Sequence, residues 1–110
     1  MITSRKVRMD QRDLEKNDDP VEAYHVLISG RVTGVGFRFF AVRKSEEIGG
    51  IEGWIRNIGY GQVEAVCQGN RRRLTSFLHD LSQGPAWGRV DDIKVNEIPV
   101  SDMLANFHIR

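Results

Sequence analysis

The sequence holds a single cysteine, Cys67, among 110 residues. One thiol excludes an intrachain disulfide framework and any zinc site built on several cysteines, and it is what a reducing compartment allows. Net charge is scarce too. Sixteen Lys plus Arg against 15 Asp plus Glu leave a formal +1, so no global field exists to hold nucleic acid or an anionic membrane, and any anion site must be local. No apolar run approaches the roughly 20 residues of a membrane span, and the chain does not open on the regions of a secretory signal. The His, Asp and Glu residues are dispersed, without a metal-ligand spacing such as H-x-x-x-H. Together these absences predict a cytoplasmic protein with no membrane or nucleic-acid partner, no metal and no cofactor. Hydrophobic residues make up 40% of the chain, enough for one packed core at this length and not for a second domain.

Residues 1–20 differ from the rest. They carry five basic and five acidic side chains, with only Met1, Ile2, Val7, Met9 and Leu14 apolar, too few to offset the entropy of ordering the segment. The expectation is a disordered N-terminal extension over 1–20, with Pro20 at the boundary, followed by one domain over 21–110.

From Val21 the pattern alternates between strand and helix. Tyr24 to Ser29 is β-branched and aromatic and ends at Gly30, which predicts a strand. Phe37, Phe40, Ala41 and Ile48 share one helical face, and Gly49-Gly50 stops that helix. Ile51 to Asn57 and Gln62 to Gln68 read as a hairpin around Gly59-Tyr60-Gly61. Asn70 is a good N-cap for a second amphipathic helix with Leu74, Phe77, Leu78 and Leu81 on one face, closed by Gly84-Pro85. Val90 to Ile98 alternates as a strand, Ser101 to Asn106 reads as a loop, and Phe107 to Arg110 adds a short edge strand. The order β-α-β-β-α-β with right-handed crossovers puts both helices on one face of an antiparallel sheet. The fold class is therefore α+β, a ferredoxin-like sandwich. That architecture hosts many functions, so chemistry must be read from a site.

The segment Gly30-Arg31-Val32-Thr33-Gly34-Val35-Gly36-Phe37-Arg38 lies where a strand ends and a helix begins. Its three glycines allow backbone N–H groups to converge there, and the first turn of a helix leaves up to four N–H donors unpaired beside a partial positive charge. A phosphate-sized anion matches that spot. Arg38, in the same turn, points back over the loop and can grip two phosphate oxygens with its planar fork. The segment lacks the Gly-Lys-Ser/Thr of a Walker A loop and is not a dinucleotide fingerprint. The strand after the first helix runs parallel to the first strand, so Asn57 at its end emerges at the same edge as the glycine loop. Its amide can accept from a water and donate to a phosphate, where a carboxylate would repel the anion.

GRVTGVGFR at 30–38, followed by GIEGWIRNIGYGQVE at 50–64, resembles the acylphosphatase signature in order and spacing, over about residues 22–110. The resemblance implies metal-independent hydrolysis of an acyl phosphate to a carboxylate and inorganic phosphate. It further implies that Arg38 binds the phosphate, that Asn57 positions the attacking water, and that the amides from about Val32 to Phe37 form the cradle. Phosphate or sulfate is then expected as a product-like ligand of a monomer. Thr33 departs from the pattern, standing where a glutamine is usual; because the cradle uses mainly main-chain groups, Thr33 is expected to tune activity without abolishing it.

Other features carry less. His25, His79 and His108 fall on a mid-strand, a helix and the C-terminal end, away from the loop. Arg71-Arg72-Arg73 opposes the dipole of the second helix and reads as a solvated charge run. Cys67 shares a face with Val63 and Ala65 and is expected in the core. Trp54 and Trp87 fit core or rim equally. GVGFRFF superficially resembles an aromatic RNA-recognition motif, but RNA stacking needs aromatics on exposed strands, and Gln62 to Gln68 has none. A regulatory phosphate-binding domain that keeps the anion site without turnover is the remaining alternative.

Overall fold

A computed structural model describes residues 19–110; the expectation for the N-terminal extension falls, apart from Asp19 and Pro20, outside the described residues. The elements are β1 (Val21–Arg31), α1 (Phe37–Ile48), β2 (Glu52–Gly59), β3 (Gln62–Asn70), α2 (Arg71–Gln83), β4 (Arg89–Ile98) and β5 (His108–Ile109). The sheet order is β4-β1-β3-β2-β5. β1 pairs antiparallel with both β3 and β4, and β2 pairs antiparallel with β3, which leaves β1 and β2 parallel with β3 between them. The ferredoxin-like α+β order holds.

One pairing differs from the expectation of an antiparallel sheet. β5 runs parallel to β2, with Trp54 opposite His108 and Ile55 opposite Ile109, so the sheet is mixed. The reason is the route of the chain. The segment after β4 must cross from one sheet edge to the other before β5 can form, and it arrives travelling in the direction of β2. Gln68 fastens that crossing on its way. Its side-chain amide donates to the Ser101 carbonyl at 2.7 Å and its oxygen accepts from the Ser101 N–H at 2.9 Å. Phe107 then enters the core edge-on to Phe77, with ring centroids 5.0 Å apart.

The core lies between the sheet and the two helices. Val26 and Ile28 of β1, Ile55 of β2, and Val63, Ala65 and Cys67 of β3 face Phe37 and Ala41 of α1 and Leu74, Phe77 and Leu81 of α2, all fully or nearly fully buried. Each large side chain so buried contributes about 1.5–3 kcal/mol of transfer free energy. The alternation of β3 places Cys67 in this layer, where burial pushes its thiol up to about 12; it is a small core hydrophobe, as its pattern predicts.

The triple arginine of α2 has local partners. Arg71 binds Glu22 at 2.7 Å, Arg72 reaches Asp19 at 3.2 Å, and Arg73 donates at 2.6 Å to the Ile48 carbonyl, one of those that α1 leaves unpaired at its C-terminal end. Asn70 caps α2, accepting from the Arg73 N–H at 2.9 Å. These contacts answer how three positive charges persist at a helix N-terminus.

The helix-free face of the sheet carries a second charged cluster. Glu64 accepts from Arg56 at 2.8 Å and meets His25 at 2.7 Å, and the guanidinium groups of Arg56 and Arg110 both lie over the Trp54 ring. The His25 and then the Arg56 hydrogen bonds hold the Glu64 carboxyl below its ordinary value of 4.5. A depressed folded value means that this contribution to stability is fully present above pH 4.5 and is lost as pH falls through the folded value. Glu64→Gln is therefore expected to flatten the acid limb of a stability-versus-pH curve below about pH 5, measured by urea unfolding at stepped pH; an acid limb as steep as that of the wild type would refute the linkage. Trp87 is exposed on the surface and Trp54 is half-buried.

Candidate active site

The connection from β1 to α1 is built on backbone conformation. Gly34 and Gly36 have φ of 75° and 77°, in the left-handed region that side-chain-bearing residues avoid, yet a Cβ at either position would meet nothing within 4 Å. Conformation, not crowding, calls for glycine there, and the space above the loop is open. Gly36 is the N-cap of α1 and its side-chain-free position provides no capping bond, while the first intrahelical bond runs from the Phe40 N–H to the Gly36 carbonyl at 2.9 Å. The N–H groups of Phe37, Arg38 and Phe39 precede that first bond and are the donors a helix leaves unpaired. No acidic residue occupies this turn, so nothing local competes for the partial positive charge. α2, capped by Asn70, shows the contrast within one molecule.

Side chains of the loop alternate between anchoring and exposure. Val32 and Phe37 are buried in the core and Val35 packs against it, whereas Gly34 and Gly36 are exposed. The two buried anchors fix both ends of the loop, leaving its main chain at the surface. Arg38 is half-buried in the first turn of α1. Among the described residues, neither Arg38 nor Asn57 has a side-chain hydrogen-bond or ion-pair partner.

Asn57 is placed by the sheet. Ile28 of β1 pairs with Val63 of β3, and Val63 pairs with Asn57 of β2, so the three lie in one row across the sheet. Directly opposed residues point to the same face, and Val63 points to the helices; Asn57 therefore stands on the helix side, about 10 Å from Ile28, given two strand spacings of roughly 4.8 Å. Its exposure shows that it lies beyond the part of that face the helices cover. The hairpin and the loop are joined directly. The Gly30 N–H donates to the Gly61 carbonyl at 3.1 Å, and the Gly61 N–H donates to the Thr33 hydroxyl at 2.9 Å. The structure thus brings the loop, the first turn of α1 and the end of β2 to one end of the sheet, as the motif order predicts.

Gly61 is the participant that sequence reading missed. Its pattern marks a turn and nothing more, and no local signal tells which distant groups a turn will bond. An open cleft of about 490 Å3 borders the loop, lined by residues including Arg31, Thr33, Tyr60, Gly61 and Arg89; neither Arg38 nor Asn57 lines it. The three histidines are elsewhere. His25 meets Glu64 on the helix-free face, His79 is exposed on α2, and His108 contacts the Asn106 carbonyl in the C-terminal stretch. Among the described residues no group of three or more His, Cys, Asp or Glu is placed to hold a metal ion, and no helix is long and apolar enough to cross a membrane.

A ferredoxin-like sheet whose first helix starts uncapped behind two left-handed glycines presents main-chain donors of the kind that suit a phosphate-sized anion. Comparison with known proteins is more specific. The family model described as Acylphosphatase matches residues 24–109. The acylphosphatase of Bifidobacterium longum is 36% identical over 87 residues, covering 78% of this chain and 89% of that protein. The solved acylphosphatase of Coxiella burnetii is 35% identical with a TM-score of 0.76, over 87% of this chain and 96% of that one. The Bacillus subtilis acylphosphatase structure gives the same TM-score at 31% identity, over 81% and 98%. The chain belongs to the acylphosphatase family, and its reaction is hydrolysis of an acyl phosphate.

Proposed function

We propose that the phosphate of the substrate rests against the loop amides from about Val32 to Phe37, that Arg38 closes over it with two hydrogen bonds, and that Asn57 orients the attacking water. An acyl phosphate is a mixed anhydride. Water oxygen bonds to phosphorus, the bond from phosphorus to the acyl oxygen breaks, and its electron pair leaves with the carboxylate, while the water protons pass to phosphate and solvent. A carboxylate is a weak base, so its departure needs neither a general acid nor a metal. What remains is positioning and stabilising charge on the equatorial oxygens, which a guanidinium and preorganised amides supply.

The observation that carries this reading is the uncapped first turn of α1, entered through two left-handed glycines and holding Arg38, at the same sheet end as Asn57. It agrees with a small acyl phosphate as substrate and inorganic phosphate or sulfate as a product-like ligand. The domain proper is taken as 21–110, acting as a cytoplasmic monomer without metal, nucleic acid or membrane. Acetyl phosphate incubated with the purified protein in excess chelator is expected to disappear at the rate seen without chelator. Loss of turnover on chelation overturns the metal-free mechanism; phosphate binding without turnover favours a regulatory phosphate-binding domain.

A further inference from the structure

We infer that Thr33 is a positioning residue for the hydrolysis: its hydroxyl fixes the β2–β3 turn, and through it Asn57, against the phosphate loop. The inference rests on the reading that Asn57 orients water, and it assigns a task to the one position where the signature departs from its usual glutamine.

Besides the ladder pair of Gly59 and Gln62 that closes it, the turn has little else to hold it. Asn57, Ile58, Gly59 and Tyr60 are all exposed, Tyr60 at 97% and Ile58 at 40%, so little apolar packing anchors this end of the hairpin. The β1–β3 ladder ends at Ser29 and Gln62, joined also by a 3.2 Å side-chain bond, and the β2–β3 register shifts between Asn57 and Gly59. Asn57 is thus the last residue before the ladder becomes irregular. Beyond that point Gly61 is attached through both of its peptide groups, its carbonyl accepting from Gly30 at the start of the loop and its N–H donating to Thr33 within the loop. The first bond is main chain to main chain and survives any side-chain change. The second depends on a hydroxyl.

Removing that acceptor frees one side of the turn, and small displacements of a water-orienting group lower turnover without changing how the phosphate is gripped. Thr33→Val, which keeps the shape and removes the acceptor, is expected to lower kcat on acetyl phosphate by about 10-fold, with the inhibition constant of inorganic phosphate held within about 2-fold. Thr33→Ser, which keeps the hydroxyl, is expected to restore kcat to within about 2-fold of the wild type. Wild-type kcat in Thr33→Val, an equal loss in Thr33→Ser, or phosphate affinity lost in step with kcat each overturns the inference. Amide exchange at Gly61 supplies a readout independent of activity. Faster exchange in Thr33→Val supports the clamp even if the wild type turned out not to hydrolyse acetyl phosphate, a result that would sink the functional reading alone; unchanged Gly61 protection overturns the clamp.

Discussion

Arg38→Ala is expected to lower turnover of an acyl phosphate by at least about two orders of magnitude, the scale of losing one preorganised donor to a charged transition state. The size of the effect follows from where the side chain stands. Arg38 occupies the first turn of α1, on a helix anchored by the buried Phe37 and Phe40, so its base is held firmly beside the loop. Arg38→Lys is expected to lose nearly as much, because an ammonium keeps the charge but not the planar fork that bonds two oxygens at once. Steady-state hydrolysis of acetyl phosphate measures both. Near-normal turnover in Arg38→Ala would remove the guanidinium from the reaction.

Asn57→Ala is expected to cut kcat by about 10²-fold while inorganic phosphate still inhibits within a few-fold of its wild-type constant. The division follows from geometry. The amide stands at the end of β2, on a different element from the loop and helix proposed to supply the phosphate donors. Kinetics of turnover and product inhibition on the same preparation separate the two effects. If the variant keeps turnover and loses phosphate affinity, the roles of Asn57 and the loop are exchanged. Asn57→Asp tests the sign of the charge, since a carboxylate beside a phosphate dianion is expected to weaken phosphate binding as well as turnover.

Much of this was legible in the sequence because the signals were periodic or local. The face shared by Leu74, Phe77 and Leu81, the cap at Asn70 and the alternation of Val63, Ala65 and Cys67 each depend on a few neighbouring residues, and each holds in the structure. The candidate site was legible for a related reason. Its glycines and Arg38 lie within one turn-to-helix segment, and parallel β1 and β2 bring Asn57 to the same end.

Features that depend on distant partners were not legible. The direction of β5 depends on the path of Pro99 to Asn106 across the sheet, which two paired residues cannot encode. The charge run at Arg71 to Arg73 shows no hint of Glu22, Asp19 or the end of α1, because ion pairing is decided by the fold. The Thr33–Gly61 bond spans 28 positions of sequence and has no periodic signature. Trp54 and Trp87 were ambiguous because bulk alone does not say which face of a strand or loop will be covered.

The central place of β1 in the sheet bears on how the chain acquires its structure during synthesis. β1 is made first, yet both of its hydrogen-bonding flanks are filled by strands made later, and on one side Ala23 must wait for Ile98. A nascent chain leaving the ribosome therefore cannot satisfy its first strand until most of the domain has emerged, and long-range pairing of this kind is slow to nucleate. The sheet around β1 is therefore completed only once β4 has been made.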